Sequence, residues 1–142
     1  MAAIDNSLFP LDPLITNDTK PFWDACASHR LIFQQCGSCG HIRWPASVIC
    51  PECSSFDFAW TECKGAGKIY SFVVFRRAFH PSFETRLPYV VASVALDEGP
   101  VLLTSIIGCE EEAVACDMRV RAVFVETETG IVLPCFTPTS EQ

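Results

Sequence analysis

Basic residues are few. Ten Lys and Arg face seventeen Asp and Glu in 142 residues, leaving a formal charge of −7 and a pI near 4.8. The cations are also dispersed: Lys64 and Lys68, Arg76 and Arg77, and Arg119 and Arg121 form no stripe. Phosphate backbones are bound by clustered positive charge, so this composition argues against a nucleic-acid partner. Long apolar runs are lacking too. No stretch approaches the roughly 18 apolar residues of a membrane helix, and no membrane partner is expected. The first residues show neither the basic region nor the apolar region of an export signal, which makes the cytoplasm the expected location. Internal repeats and low-complexity tracts are absent. So is a phosphate loop. Gly65-Ala66-Gly67-Lys68 is a fragment of one, but its first glycine would fall on Glu62, and Ile69 replaces the hydroxyl residue that holds Mg²⁺. These glycines read as a hinge.

Apolar residues, in contrast, are plentiful. They make up 49% of the chain, and the mean hydropathy is +0.26. A domain of this size has little interior in which to hide them, so a partner that covers part of the surface is expected. There are nine cysteines, an odd number. With no export signal they argue for thiols in a reducing compartment rather than for a disulfide scaffold.

Four of the nine stand as two close pairs, Cys36-Gly-Ser-Cys39 and Cys50-Pro-Glu-Cys53, with ten residues between the pairs. Two such knuckles place four thiolates at the corners of one tetrahedron, the geometry of structural Zn²⁺. An S₄ set also suits iron in a rubredoxin-like electron-transfer site. Four protein ligands leave no open position for water or substrate, which excludes a catalytic role for the metal. Cys63, Cys109, Cys116 and Cys135 have no histidine near them in sequence, and Cys26 has only His29, three residues on; all five read as small buried hydrophobes rather than nucleophiles.

The expected order of elements follows from pattern. Residues 1–18, rich in Pro, Asp and Asn, read as an extended arm. Residues 19–64 read as a helix and a zinc ribbon. Asp18 or Thr19 can cap the helix, with Pro21 in its first turn and Phe22, Trp23 and Cys26 on one face; it stops near His29. Leu31–Gln35 is a strand entering the first knuckle, and the alternation of Phe56, Phe58 and Trp60 predicts a strand over the metal site. Residues 65–142 read as a barrel with a C-terminal tail. Its five antiparallel strands are expected at 67–75, 88–96, 101–107, 119–127 and 131–137, with Phe79–Phe83 as a loop and Glu110-Glu111-Glu112 as a solvated turn.

Several of these residues fall in a familiar order. Pro21-Phe22-Trp23 precedes Leu31–Cys36 and the four cysteines. Pro51, Trp60, Gly65 and Gly67-Lys68-Ile69-Tyr70-Ser71-Phe72 follow, then His80-Pro81-Ser82-Phe83, Pro88-Tyr89-Val90-Val91-Ala92, Leu96-Asp97-Glu98-Gly99 and the stretch from Val120 to Phe136. Over about residues 19–138 the chain resembles the zinc-ribbon/OB-fold family, once catalogued as a domain of unknown function and later tied to acyl-CoA metabolism. The resemblance implies a mainly β fold: an N-terminal helix and rubredoxin-like zinc ribbon, then a five-stranded OB-fold barrel. It implies a non-catalytic accessory subunit that pairs with a thiolase-superfamily enzyme in a hetero-oligomer. Partners in that family include thiolases, hydroxymethylglutaryl-CoA synthase complexes, acyltransferases and steroid side-chain aldolases. The barrel would help to close the partner's acyl-CoA site, and the catalytic residues would belong to the partner. His29 and Asp117 stand where many relatives have Gly, so those turns are expected to differ locally.

Site candidates beyond the metal ligands Cys36, Cys39, Cys50 and Cys53 are His80 with Phe79 and Phe83, and the cations Lys68, Arg76 and Arg77 for coenzyme A phosphates. The plainer readings are a loop histidine packed on its neighbours and ordinary solvated charge. Two other functions remain open: a nucleic-acid-binding module, since zinc ribbons and OB barrels both serve that purpose, and a stand-alone acyl-CoA-binding protein.

Overall fold

A computed structural model describes residues 13–139. Most of the expected N-terminal arm, residues 1–12, lies outside the described residues. Leu14 and Ile15 are exposed, and Thr16 opens the turn that starts helix α1 (Lys20–Ala27). Pro21 sits in the first turn, and Phe22, Ala25 and Cys26 form the buried face. Thr19 occupies the N-cap position but does not cap. Its hydroxyl accepts from the Thr16 N–H at 3.0 Å, and no side chain bonds the helix's free amides there.

The helix closes with paired bonds, His29 N–H to the Cys26 carbonyl and Arg30 N–H to the Ala25 carbonyl, both 2.9 Å. This closure needs a left-handed residue at His29, where φ is 59°. Asp117 has φ 66°. Neither turn gives up positive φ for want of glycine, contrary to the expectation of local change. At His29 the compensation is visible: its ring stacks on Phe124 with centroids 5.2 Å apart.

Strands β1 (Leu31–Cys36), β2 (Ile42–Arg43) and β3 (Phe58–Cys63) form an antiparallel sheet in the order β2-β1-β3. The strand expected from Phe56 begins at Phe58, and Phe56 is exposed before it. Gly65, with φ 78°, then turns the chain into the barrel.

The barrel strands are β4 (Ala66–Phe75), β5 (Tyr89–Leu96), β6 (Val101–Ile106), β7 (Arg119–Glu126) and β8 (Val132–Pro138), closed in the order β4-β5-β6-β8-β7. Strand β5 shows why the sequence reads as a strand. Val90, Ala92, Val94 and Leu96 are buried, and the residues between them are half-buried. The barrel is not wholly antiparallel: β6 meets β8 in parallel at Ile106 and Phe136. A bulge between Ile69 and Ser71 lets β4 curve from one neighbour to the other. A Cβ on Gly67 would lie 2.5 Å from the Ala95 carbonyl, so the β4–β5 approach requires glycine. The segment expected as a loop holds a short 3₁₀ helix, Pro81–Arg86, and a second one spans Glu111–Ala113. Phe22, Leu31 and Phe33 belong to the same apolar cluster as barrel residues Ile69, Val94, Val120 and Phe136, so ribbon and barrel share a core.

Candidate functional site

The two knuckles are built alike. The Cys36 N–H donates to the His41 carbonyl and the Gly40 N–H to the Cys36 carbonyl, while the Cys50 N–H reaches Ser55 and the Ser54 N–H reaches Cys50. Gly40 and Ser54 both have positive φ, which turns each loop back on itself. The four Sγ atoms all lie within 4.8 Å of one another. Cys36 and Cys53 are 3.5 Å apart and Cys39 and Cys50 3.7 Å. A tetrahedron with Zn–S bonds of about 2.3 Å has edges of about 3.8 Å, so the cage has zinc's size. It is too wide for disulfides, and among the described residues the cysteines are free thiols. The backbone N–H groups of Cys39 and Ser38 point at Cys36 Sγ from 3.4 Å and pull that thiol down to about 6; Cys50 is lowered too, whereas Cys39 and Cys53, crowded by the neighbouring thiols, are raised. A thiolate is the form that binds metal. This all-sulfur, closed set is that of a structural zinc ion. When bound, the ion would supply folding free energy, not a reactive water.

Of the cysteines outside the cage, Cys26, Cys63 and Cys135 are buried. Burial pushes the Cys26 and Cys135 thiols up to about 12. Burial, with Glu98 nearby, pushes Cys63 up to about 11. Cys109 and Cys116 are exposed, contrary to the expectation that they would be buried. His41, just after the first knuckle, is half-buried.

At the opposite end of β4 the aromatic candidates gather. Phe75 stacks on Tyr89 at 4.9 Å, Phe83 tilts against Tyr89 at 5.3 Å, and Phe79 meets Phe75 edge-on at 6.0 Å. Phe75, Phe83 and Tyr89 line a cavity of about 580 Å³ with Arg86, Ile106 and Glu111. That volume suits a small-molecule group, and the wall is mainly apolar.

The cation candidates divide. Arg76 pairs with Glu111 at 3.4 Å, beside the cavity, and Arg77 lies over Phe79 at 5.8 Å. Lys68 is at the other end of β4, 3.6 Å from Asp117, and is not brought to the cavity. His80 does not line it either. Its Nδ1 accepts the Ser82 N–H at 3.1 Å and so starts the 3₁₀ helix. Sequence reasoning missed Arg86 and Tyr89 as lining residues. Each is the far side of a turn from Phe75, and no local spacing announces that fold-back.

Models of two families match the chain: the ChsH2 rubredoxin-like zinc ribbon domain over residues 23–59 and the ChsH2 C-terminal OB-fold domain over residues 60–125. A probable enoyl-CoA hydratase alpha subunit of Thermomonospora curvata is 36% identical over 130 residues, which cover 92% of this chain and 40% of that protein. The chain thus spans well under half the length of that relative. A DUF35 domain-containing scaffold protein of Methanocaldococcus jannaschii is 37% identical over 95 residues, 66% of this chain and 67% of that one. Among solved structures, a chain of the Ltp2-ChsH2(DUF35) aldolase superposes with a TM-score of 0.80 at 36% identity, covering 89% of this chain and 98% of that chain.

Proposed function

The chain belongs to the DUF35 family of zinc-ribbon/OB-fold proteins, and from that premise we propose that it is a non-catalytic accessory subunit of an enzyme acting on acyl-CoA. The observation that carries this reading is the likeness along almost the whole of a chain from an aldolase complex. The partner would be a thiolase-superfamily protein, and the complex would cleave or form a C–C bond, or transfer an acyl group. The partner would provide the reacting residues. The aromatic cavity beside Phe75, Phe83 and Tyr89 would lie at the shared acyl-CoA site, with Arg76, Arg77 and the Phe79–His80 loop at its rim.

Three observations support the assignment. The buried cysteines outside the metal cage are held as thiols. The cage itself is closed to substrate. Five of the ten basic residues that a nucleic-acid reading would draw on are paired with carboxylates: Lys20 with Asp24, Arg30 with Glu62, Lys68 with Asp117, Arg76 with Glu111 and Arg119 with Asp97.

Co-expression with a thiolase-superfamily partner should give a complex that survives size exclusion. The partner's turnover of acyl-CoA should rise when this chain is added. Identical turnover with and without the chain would sink the proposal. The isolated chain titrated with acyl-CoA should release no heat, because the site is completed only in the complex; binding by the chain alone would favour a stand-alone acyl-CoA-binding protein.

A further inference from the structure

Arg43 is the one charged side chain buried among the described residues, with 4% of its surface exposed. Nε donates to Gln34 Oε1 at 2.9 Å and Nη2 to the Ser47 carbonyl at 2.8 Å. The guanidinium lies over the Phe58 ring, with Cζ 5.2 Å from the centroid. Nη1 is buried and meets no acceptor. No ion pair among the described residues includes Arg43. All of these partners are neutral, yet a buried cation is heavily penalised unless a negative charge lies close by.

Strand register shows where that charge is. Opposed residues of an antiparallel pair put their side chains on the same face, and so do residues two apart on one strand. Gln34 opposes Arg43 across β1 and β2. Cys36, two residues beyond Gln34, opposes Phe58 across β1 and β3. Arg43, Phe58 and the first metal ligand therefore share one face of the sheet. The ring beneath the guanidinium stands directly opposite Cys36. Diagonal neighbours in such a sheet are about 7–8 Å apart. Four thiolates around one divalent cation leave two negative charges unbalanced; Cys36 and Cys50 are buried and Cys39 and Cys53 exposed, so an attraction over that span, which is within a Debye length, is only partly screened.

We propose that Arg43 is the counter-charge of the tetrathiolate zinc site, a fixed cation on the sheet beneath the first knuckle that stabilises the metal-loaded cage. Its fork to Gln34 and Ser47 holds it in place and, in the same stroke, ties the metal loop to β1. The charge and the fork are separable roles. Only the charge should act on metal affinity when the fork is kept.

The test uses the full chain loaded with zinc, challenged with a chromophoric chelator. Gln34→Glu keeps the acceptor for Arg43 Nε and for the Ser47 N–H but sets a carboxylate against the guanidinium. It neutralises Arg43 without removing it and places a like charge beside the cage. Zinc should pass to the chelator about ten-fold more readily than in the parent, the scale found for outer-shell partners of metal sites. A fork-only role predicts zinc held as tightly or more tightly, since the new pair strengthens the fork; that result would overturn the proposal.

Arg43→Gln and Arg43→Lys form the second arm and do not depend on the first. Both lose the fork, and only the lysine keeps the charge. The lysine variant should recover most of the affinity that the glutamine variant loses. In the cobalt-substituted protein the sulfur-to-metal charge-transfer band should move in the glutamine variant and stay near its parent position in the lysine variant. Equal zinc loss and equal spectra in the two would refute the assignment. Barrel circular dichroism establishes that each variant is folded.

Discussion

Asp97 accepts from both terminal nitrogens of Arg119, each at 2.8 Å, and so ties the β5–β6 turn to the start of β7. Hydrogen bonding to Arg119 holds its carboxyl below the ordinary 3.8, and the charges of Arg119 and Lys64 act in the same direction. The consequence for stability has a definite sign. A carboxyl whose pKa is depressed by folding contributes stability above its unfolded value, and that contribution is lost as pH falls through the folded value. Asp97→Asn should therefore lower the melting temperature at neutral pH. The gap between parent and variant should narrow as pH falls below 3.8. Melting curves from about pH 6 down to about pH 2 would check it. A gap of constant size would mean that the pair's charge contributes nothing. The effect should be modest, because both side chains are substantially exposed and solvent screens the pair. The same scale shows what single residue types conceal. Glycine-like turns at His29 and Asp117 keep φ near 60° with side chains in place. A stacked aromatic ring offsets strain at His29, and sequence offers no sign of that distant contact.

At the scale of elements, Gly67 is where β4 passes closest to its neighbour. Gly67→Ala would drive a methyl to 2.5 Å from the Ala95 carbonyl and 3.0 Å from the Leu96 Cα. Both contacts are backbone, so strand pairing must yield, at a cost of about 1–3 kcal/mol. Urea unfolding should show that loss with an unchanged slope. A neutral result would mean that β4 can move away from β5 without penalty. The barrel was readable in sequence because its strands are short, bounded by turns and alternate in burial: Val90 to Leu96 in β5 and Leu102 to Ile106 in β6 carry the pattern plainly. The metal cage was readable from spacing alone, since each knuckle is local. Four features were not. The parallel β6–β8 contact, the bulge at Tyr70 and the cavity formed by Phe75 with Tyr89 and Arg86 arise from closure of the barrel. The 3₁₀ helix after His80 depends on a side chain accepting its neighbour's amide. Strand periodicity records which face is buried, not which distant strand covers it.

For the molecule as a whole, the tie between ribbon and barrel decides how it comes apart. Helix α1 and β1 put Phe22, Leu31 and Phe33 into the barrel's apolar cluster. The metal loop is different: Val48, Ile49 and Phe56 are exposed, and its buried members include the ligand Cys50 and the counter-charge Arg43. Apart from the thiolates, the loop is held by the short β1–β2 pair, the Arg43 fork to Gln34 and Ser47, and Trp44 against Phe22 and Phe33, while the two knuckles themselves close on the metal. Zinc sites of this type contribute about 10–16 kcal/mol at neutral pH, comparable with the stability of a whole small domain. Chelation should therefore release residues 37–57 first and leave the barrel paired. Amide exchange followed after zinc removal should show early loss of protection at the amides of Gly40, Cys50 and Ser54, which bond within the two knuckles. The β5 amides should remain slow. Protein optics provide a second readout. Trp23, Trp44 and Trp60 all precede the barrel, whereas Tyr70 and Tyr89 belong to its strands. Tryptophan emission should shift before the β-sheet dichroism falls. If both signals instead collapse together, the shared core transmits metal loss to the barrel, and zinc would be required for the whole fold rather than for the loop that it closes.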